Sequence, residues 1–142
     1  MLKRITVLSI ACLLTFTTMG AGQKKTIKHV PIQQTSPASG KEMFMQYCAA
    51  CHGKDAKGDG PAASALKVPP SDLTVLARHN GGKFPDVHVE SVLQFGSNMP
   101  AHGTREMPIW GPLLQSLKRT NDAQVKQRIV NLTDYINSLQ VK

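Results

Sequence analysis

The chain has 142 residues, 17 Lys and Arg against 9 Asp and Glu, and three cysteines. That length supports one domain, and the basic residues are scattered without aromatic interleaving, so nucleic-acid binding is unsupported. Three cysteines, one of them in an apolar leader, exclude a disulfide framework.

Residues 1–22 read as a signal peptide. Met1 to Arg4 is a short basic start, Ile5 to Phe16 is an apolar run, and Thr17 to Gly22 is rich in small residues suited to cleavage. The alternative is an uncut anchor, for which the 18 residues Ile5 to Gly22 are a marginal length. Cleavage removes Cys12 and places the chain in the periplasm or another extracytoplasmic space. Residues 23–38 are polar and basic, carry Pro31 and Pro37, and show no periodicity. They read as a linker or a loosely wrapped arm, with His29 a solvated side chain. The domain proper is assigned to residues 39–142.

Ser39-Gly40-Lys41-Glu42 has the form of a capping box, so a helix is expected from about Gly40 to Ala50. Phe44, Tyr47, Cys48 and Cys51 share one face of it. This helix ends in Cys48-Ala49-Ala50-Cys51-His52, the C-x-x-C-H pattern of covalent haem c attachment. Two thiols three positions apart can each add to one vinyl group of the porphyrin, and the adjacent His52 imidazole can bind the iron. A thioredoxin-type pair would need a βαβ context, which is missing, and a structural zinc would need four ligands.

Gly53 to Pro70 is rich in turn formers and must fold back over the His52 side of the haem. A ligating histidine usually donates its second ring N–H to a carbonyl, and Pro61 is the candidate supplier; the bland reading makes Gly60-Pro61 only a turn. A short helix is expected after Pro69-Pro70-Ser71-Asp72, with Leu73 and Leu76 inward and Asn80-Gly81-Gly82 as its end. Another should run from Pro85-Asp86 to about Phe95, with Val89, Val92 and Leu93 on one face and Gly96 as its stop. His79 and His88 read as surface residues.

Ser97 to Leu114 has little regular pattern but holds Met99-Pro100, His102, Met107-Pro108 and the only tryptophan, Trp110. Such a segment can cover the open haem face and present a thioether to the iron. Asn121 to Gln124 resembles a second capping box, followed by Val125, Ile129, Leu132, Ile136 and Leu139 at helical spacing. This last helix should cross the first one, near Tyr135. The picture is all-α: about four helices and long loops around one haem.

From about Ser39 to Gln140 the chain resembles a class I (monohaem) cytochrome c of the bacterial exported type. The resemblance rests on Cys48-Ala49-Ala50-Cys51-His52-Gly53, Gly60-Pro61, Met107-Pro108 and Leu132-x-x-Tyr135-Ile136-x-x-Leu139. It implies the cytochrome c fold, one haem c held by Cys48 and Cys51, and His52 with a methionine as iron ligands. The Trp-Gly pair soon after Met107 points to Met107, with Met99 as the fallback and His102 as a bis-histidine alternative. The expected function is electron transfer between a redox donor and an acceptor with acidic docking surfaces. Membrane contact would come only through partners or an uncleaved leader. Two alternatives use the same haem: an enzyme with a displaceable sixth ligand, and a fixed electron-entry subunit of a larger oxidoreductase.

Overall fold

The computed structural model describes residues 32–96, 107–117 and 120–141. The leader, His29, Met99 and His102 lie outside the described residues. Every regular element among the described residues is helical.

The first helix is built in three pieces, α1 (Gly40–Met43), a π-helical turn (Phe44–Cys48) and α2 (Ala49–His52). Only half of the expected capping box forms. Ser39 accepts from the Glu42 amide at 3.1 Å, but the Glu42 carboxylate accepts from the Ser36 amide at 3.3 Å instead of reaching Ser39. The chain turns sharply at Pro37-Ala38, which brings Ser36 over the helix start.

After the Leu73–Val75 turn comes α3 (Leu76–His79), then α4 (Asp86–Phe95), whose Val89 and Leu93 are buried and whose stop is Gly96 at φ +79°. The Leu73 segment differs in detail from its expectation: Thr74 and Val75 are the buried residues, while Leu73 and Leu76 pack half-buried against the core. His79 and His88 are exposed.

The segment read as irregular contains a further helix, α5 (Trp110–Gln115). Gly111 and Pro112 disguise it. Pro112 falls in the first turn, where its missing N–H would have had no helical partner anyway. Gly111 allows close approach to α4, because a Cβ there would stand 2.5 Å from the Gln94 carbonyl oxygen.

The longest helix, α6 (Asp122–Ser138), has the full capping box, with Asn121 and Gln124 bonded reciprocally at 3.0 and 3.1 Å. Val125, Ile129, Leu132 and Ile136 are all buried, each contributing roughly 1.5–3 kcal/mol of apolar transfer. They meet Met43 and Phe44 of the first helix, Leu93 of α4 and Leu114 of α5 in one core. The first helix and α6 come close at Gly40, where a Cβ would clash with the Asn131 backbone and stand 2.8 Å from Tyr135 Cβ. Phe44 and Tyr135 rings meet nearby, 5.4 Å apart.

The stretch before the first helix is held against this core. Ile32 packs on it, Thr35 is buried, and Asn131 donates to the Pro37 carbonyl at 2.7 Å.

Candidate haem site

The site begins with how the first helix stops. A helix leaves its last four carbonyls without partners. Here the following loop donates to each of them: Gly53 N–H to Ala49, Ala62 to Ala50, Gly60 to Cys51 and Gly58 to His52, at 3.0, 2.8, 3.0 and 2.8 Å. Gly60 is required by this approach, since a Cβ would lie 2.6 Å from the Cys51 carbonyl carbon. Gly53 at φ +79° turns the chain back. The Cys48–His52 segment is thus fixed along its full length by the loop it launches.

His52 is oriented by the same loop. Its Nδ1 donates to the Ser71 carbonyl at 3.0 Å. This corrects the expectation for Pro61, which lies in the turn that satisfies Ala50 and Cys51. Ser71 reaches the imidazole because two contacts bring its segment there. Gly58, at φ +83°, packs so closely on Pro70 and Ser71 that a Cβ would clash with the Pro70 carbonyl oxygen, and the Leu73 amide donates to the Ala56 carbonyl at 2.8 Å. Asp72 then caps the next turn, accepting from the Thr74 amide and hydroxyl at 2.8 and 2.6 Å.

With Nδ1 carrying the proton, the lone pair of His52 resides on Nε2. Burial lowers the imidazole pKa, partly opposed by the Ser71 hydrogen bond, so the ring is neutral and able to ligate at neutral pH.

Cys48 is buried and Cys51 half-buried, and the two are not joined in a disulfide. Burial, reinforced by the neighbouring Cys51, pushes the Cys48 thiol up to about 12. A thioether formed there is neutral and carries no ionisation cost in this buried setting. Among the described residues, no group of three His, Cys, Asp or Glu could hold a metal ion. One neutral imidazole beside two cysteines at vinyl-attachment spacing fits an iron that arrives with its own porphyrin nitrogens.

Met107 begins the short stretch leading into α5, with its side chain 38% exposed. Trp110, three residues on, is buried and stacks on Tyr47 of the first helix, with centroids 5.2 Å apart and planes at 27°.

A helical core with a C-x-x-C-H segment at the end of its first helix, closed by its last helix, defines a c-type haem domain with the cytochrome c fold. Residues 35–118 match the family described as cytochrome c oxidase, cbb3-type, subunit III, and the chain belongs to that family. Its domain is that of a c-type cytochrome, with one covalently bound haem c. No curated protein matches the chain. Among solved structures it is similar to a chain of the Kuenenia stuttgartiensis reducing HAO-like protein complex, at 19% identity and a TM-score of 0.45. The match covers 76% of this chain and 45% of that one.

Proposed function

We propose that this protein is an exported carrier of single electrons, with haem attached through Cys48 and Cys51 and its iron held between His52 and Met107. The observation that carries the reading is the His52 Nδ1–Ser71 hydrogen bond, which leaves Nε2 as the ligating atom beside two cysteines at haem spacing. When bound, the haem supplies one-electron Fe(III)/Fe(II) chemistry. The chain's residues supply the rest. Ser71 fixes the ring plane of His52 and increases its basicity. Met107 offers a soft, neutral sulfur that favours the reduced ion and raises the potential. Two protein ligands leave no open position for substrate, which favours transfer over catalysis. The donor and acceptor are redox proteins with acidic docking surfaces, met through a small transient interface. The leader places the protein outside the cytoplasm.

A second reading has the same chemistry in a permanent position, as an electron-entry subunit of a larger oxidoreductase. It is favoured by the family's own description as an oxidase subunit. Native-size chromatography of membranes solubilised gently separates the two: a carrier elutes alone, a subunit with its complex.

The ligand set is tested by optical spectra of the purified protein in both redox states. Met107→Ala should remove the sulfur-to-iron charge-transfer band, lower the potential and admit cyanide to the ferric protein. Met99→Ala should leave the band in place. The reverse pattern would transfer the role to Met99. A parent protein that shows no such band and binds cyanide freely would favour a haem enzyme.

A further inference from the structure

Tyr47 is tied on both sides. Its hydroxyl donates to the Gln33 carbonyl at 2.6 Å and lies 2.9 Å from Thr35 Oγ1. Its ring stacks on Trp110. Thr35 is held in turn by Arg128 of α6, whose guanidinium donates to Thr35 Oγ1 at 3.0 Å and to the Thr35 carbonyl at 2.8 Å. Arg128 is itself 6% exposed. Among the described residues its other hydrogen bond is to the Met43 sulfur at 3.7 Å, and its Nε has no partner there. A cation buried among neutral acceptors is costly. Here it fixes one extended stretch of chain at two atoms of one residue, with a planar fork that lysine cannot reproduce.

We propose that Tyr47 is a positioning residue for the sixth iron ligand, and that residues 33–35, clamped by Arg128, form the strap that holds it. The proposal rests on Met107 being that ligand. From Met107 the chain runs through Pro108 and the extended Ile109 into Trp110. Pro108 has a fixed φ, so this connection is short and stiff. Trp110 is therefore the nearest buried anchor of the ligand-bearing residue on its C-terminal side. The plate against which Trp110 stacks belongs to the residue preceding Cys48. Tyr47 thus links the haem-attachment helix to the segment that approaches from the other face, and the strap prevents the ring from turning away. Residues 33–35, within the stretch read as a linker or a loosely wrapped arm, become part of the ligand cage.

The test uses the mature ferric protein and imidazole as the competing ligand, followed optically as it displaces the sulfur. Tyr47→Leu removes ring and hydroxyl and should raise imidazole affinity about tenfold, the factor corresponding to one stacked aromatic pair. Tyr47→Phe keeps the stack and loses the strap, so it should give a smaller rise, about threefold. If Tyr47→Leu fails to mature, Tyr47→Phe decides the matter. Leu139→Ala serves as the control for general loosening, since it removes a half-buried core contact just past the end of α6, 11 positions beyond Arg128, and it should leave the affinity within twofold of the parent. Parent-like affinity in both Tyr47 variants, with a large rise in Met107→Ala, would overturn the strap and leave the methionine ligand standing. An equal rise in Leu139→Ala would also overturn it, because the effect would then be global. A Met107→Ala chain that binds imidazole no better than the parent removes the ligand assignment and the strap's role with it.

Discussion

A main-chain carbonyl does the orienting of His52, and this explains what single residues could reveal. The motif Cys48 to His52 was legible because its chemistry resides in side chains at fixed spacing. Ser71 was not, because any residue supplies the same carbonyl; only the folding of 18 intervening residues selects it. The signal that could have found it is Asp72-x-Thr74, a cap that fixes where the loop ends. The two Thr74 bonds, side chain first and then backbone, hold the Asp72 carboxyl below the usual aspartate range. A carboxyl whose folded pKa is depressed stabilises the fold above its unfolded pKa, near 3.8, and loses that contribution as pH falls through the lower folded value. Asp72→Ala should therefore cost about 0.5–2 kcal/mol at pH 7, the usual loss of a helix cap. Asp72→Asn keeps a capping oxygen and should cost less. The gap between parent and Asp72→Asn, from guanidinium unfolding of the mature protein, should close as pH falls below about 3.8. A gap that stays constant down to pH 2 would mean the carboxylate charge contributes nothing to the cap.

Elements were readable where periodicity and caps agreed. The α6 helix shows this best: its apolar stripe, its capping box and its boundary all appear in the structure. The α5 helix was hidden because it is six residues long and carries Gly and Pro, so propensity argued against it while packing on α4 favoured it. The π-helical turn had no sequence mark either. It inserts a wider turn into the first helix just before Ala49, in keeping with the tendency of such turns to occur at functional sites. The crossing of the first and last helices turns on Gly40. In an exposed helix, Gly→Ala stabilises by about 1 kcal/mol. At Gly40 the added methyl would meet the Asn131 backbone and Tyr135 Cβ, and neither is the free end of a flexible side chain. Gly40→Ala should instead destabilise by about 1–3 kcal/mol, as overpacked sites do. Denaturant midpoints of mature protein check the sign, and a gain in stability would show that the crossing has slack.

At the scale of the whole molecule, the sequence placed the domain start at Ser39, whereas the structure packs the chain on the core from Ile32 onward. Residues 32–38 have no periodicity, and their anchors, Arg128 and Asn131, lie more than 90 positions away, so local reading had nothing to detect. Net charge was available from composition alone, and it leads to a prediction about encounter. The loop beside the site is nearly balanced, with Lys54, Lys57 and Lys67 set against Asp55 and Asp59. Local charge therefore does little to choose between partners of either sign. The chain as a whole is +8, and loss of the leader would remove only Lys3 and Arg4, so its long-range field is positive in either form. Small oxidants of opposite charge separate this field from specific docking. Oxidation of the reduced protein by the hexacyanoferrate(III) anion should slow about three- to tenfold between 10 and 100 mM salt, as the screening length contracts from about 30 to about 10 Å. Oxidation by a tris(phenanthroline)cobalt(III) cation should accelerate over the same range. Stopped-flow rates at several ionic strengths give both slopes. Two flat slopes would show that the basic residues are too dispersed to steer, and reversed slopes would place a net negative field at the electron-transfer edge, against the acidic partners proposed above.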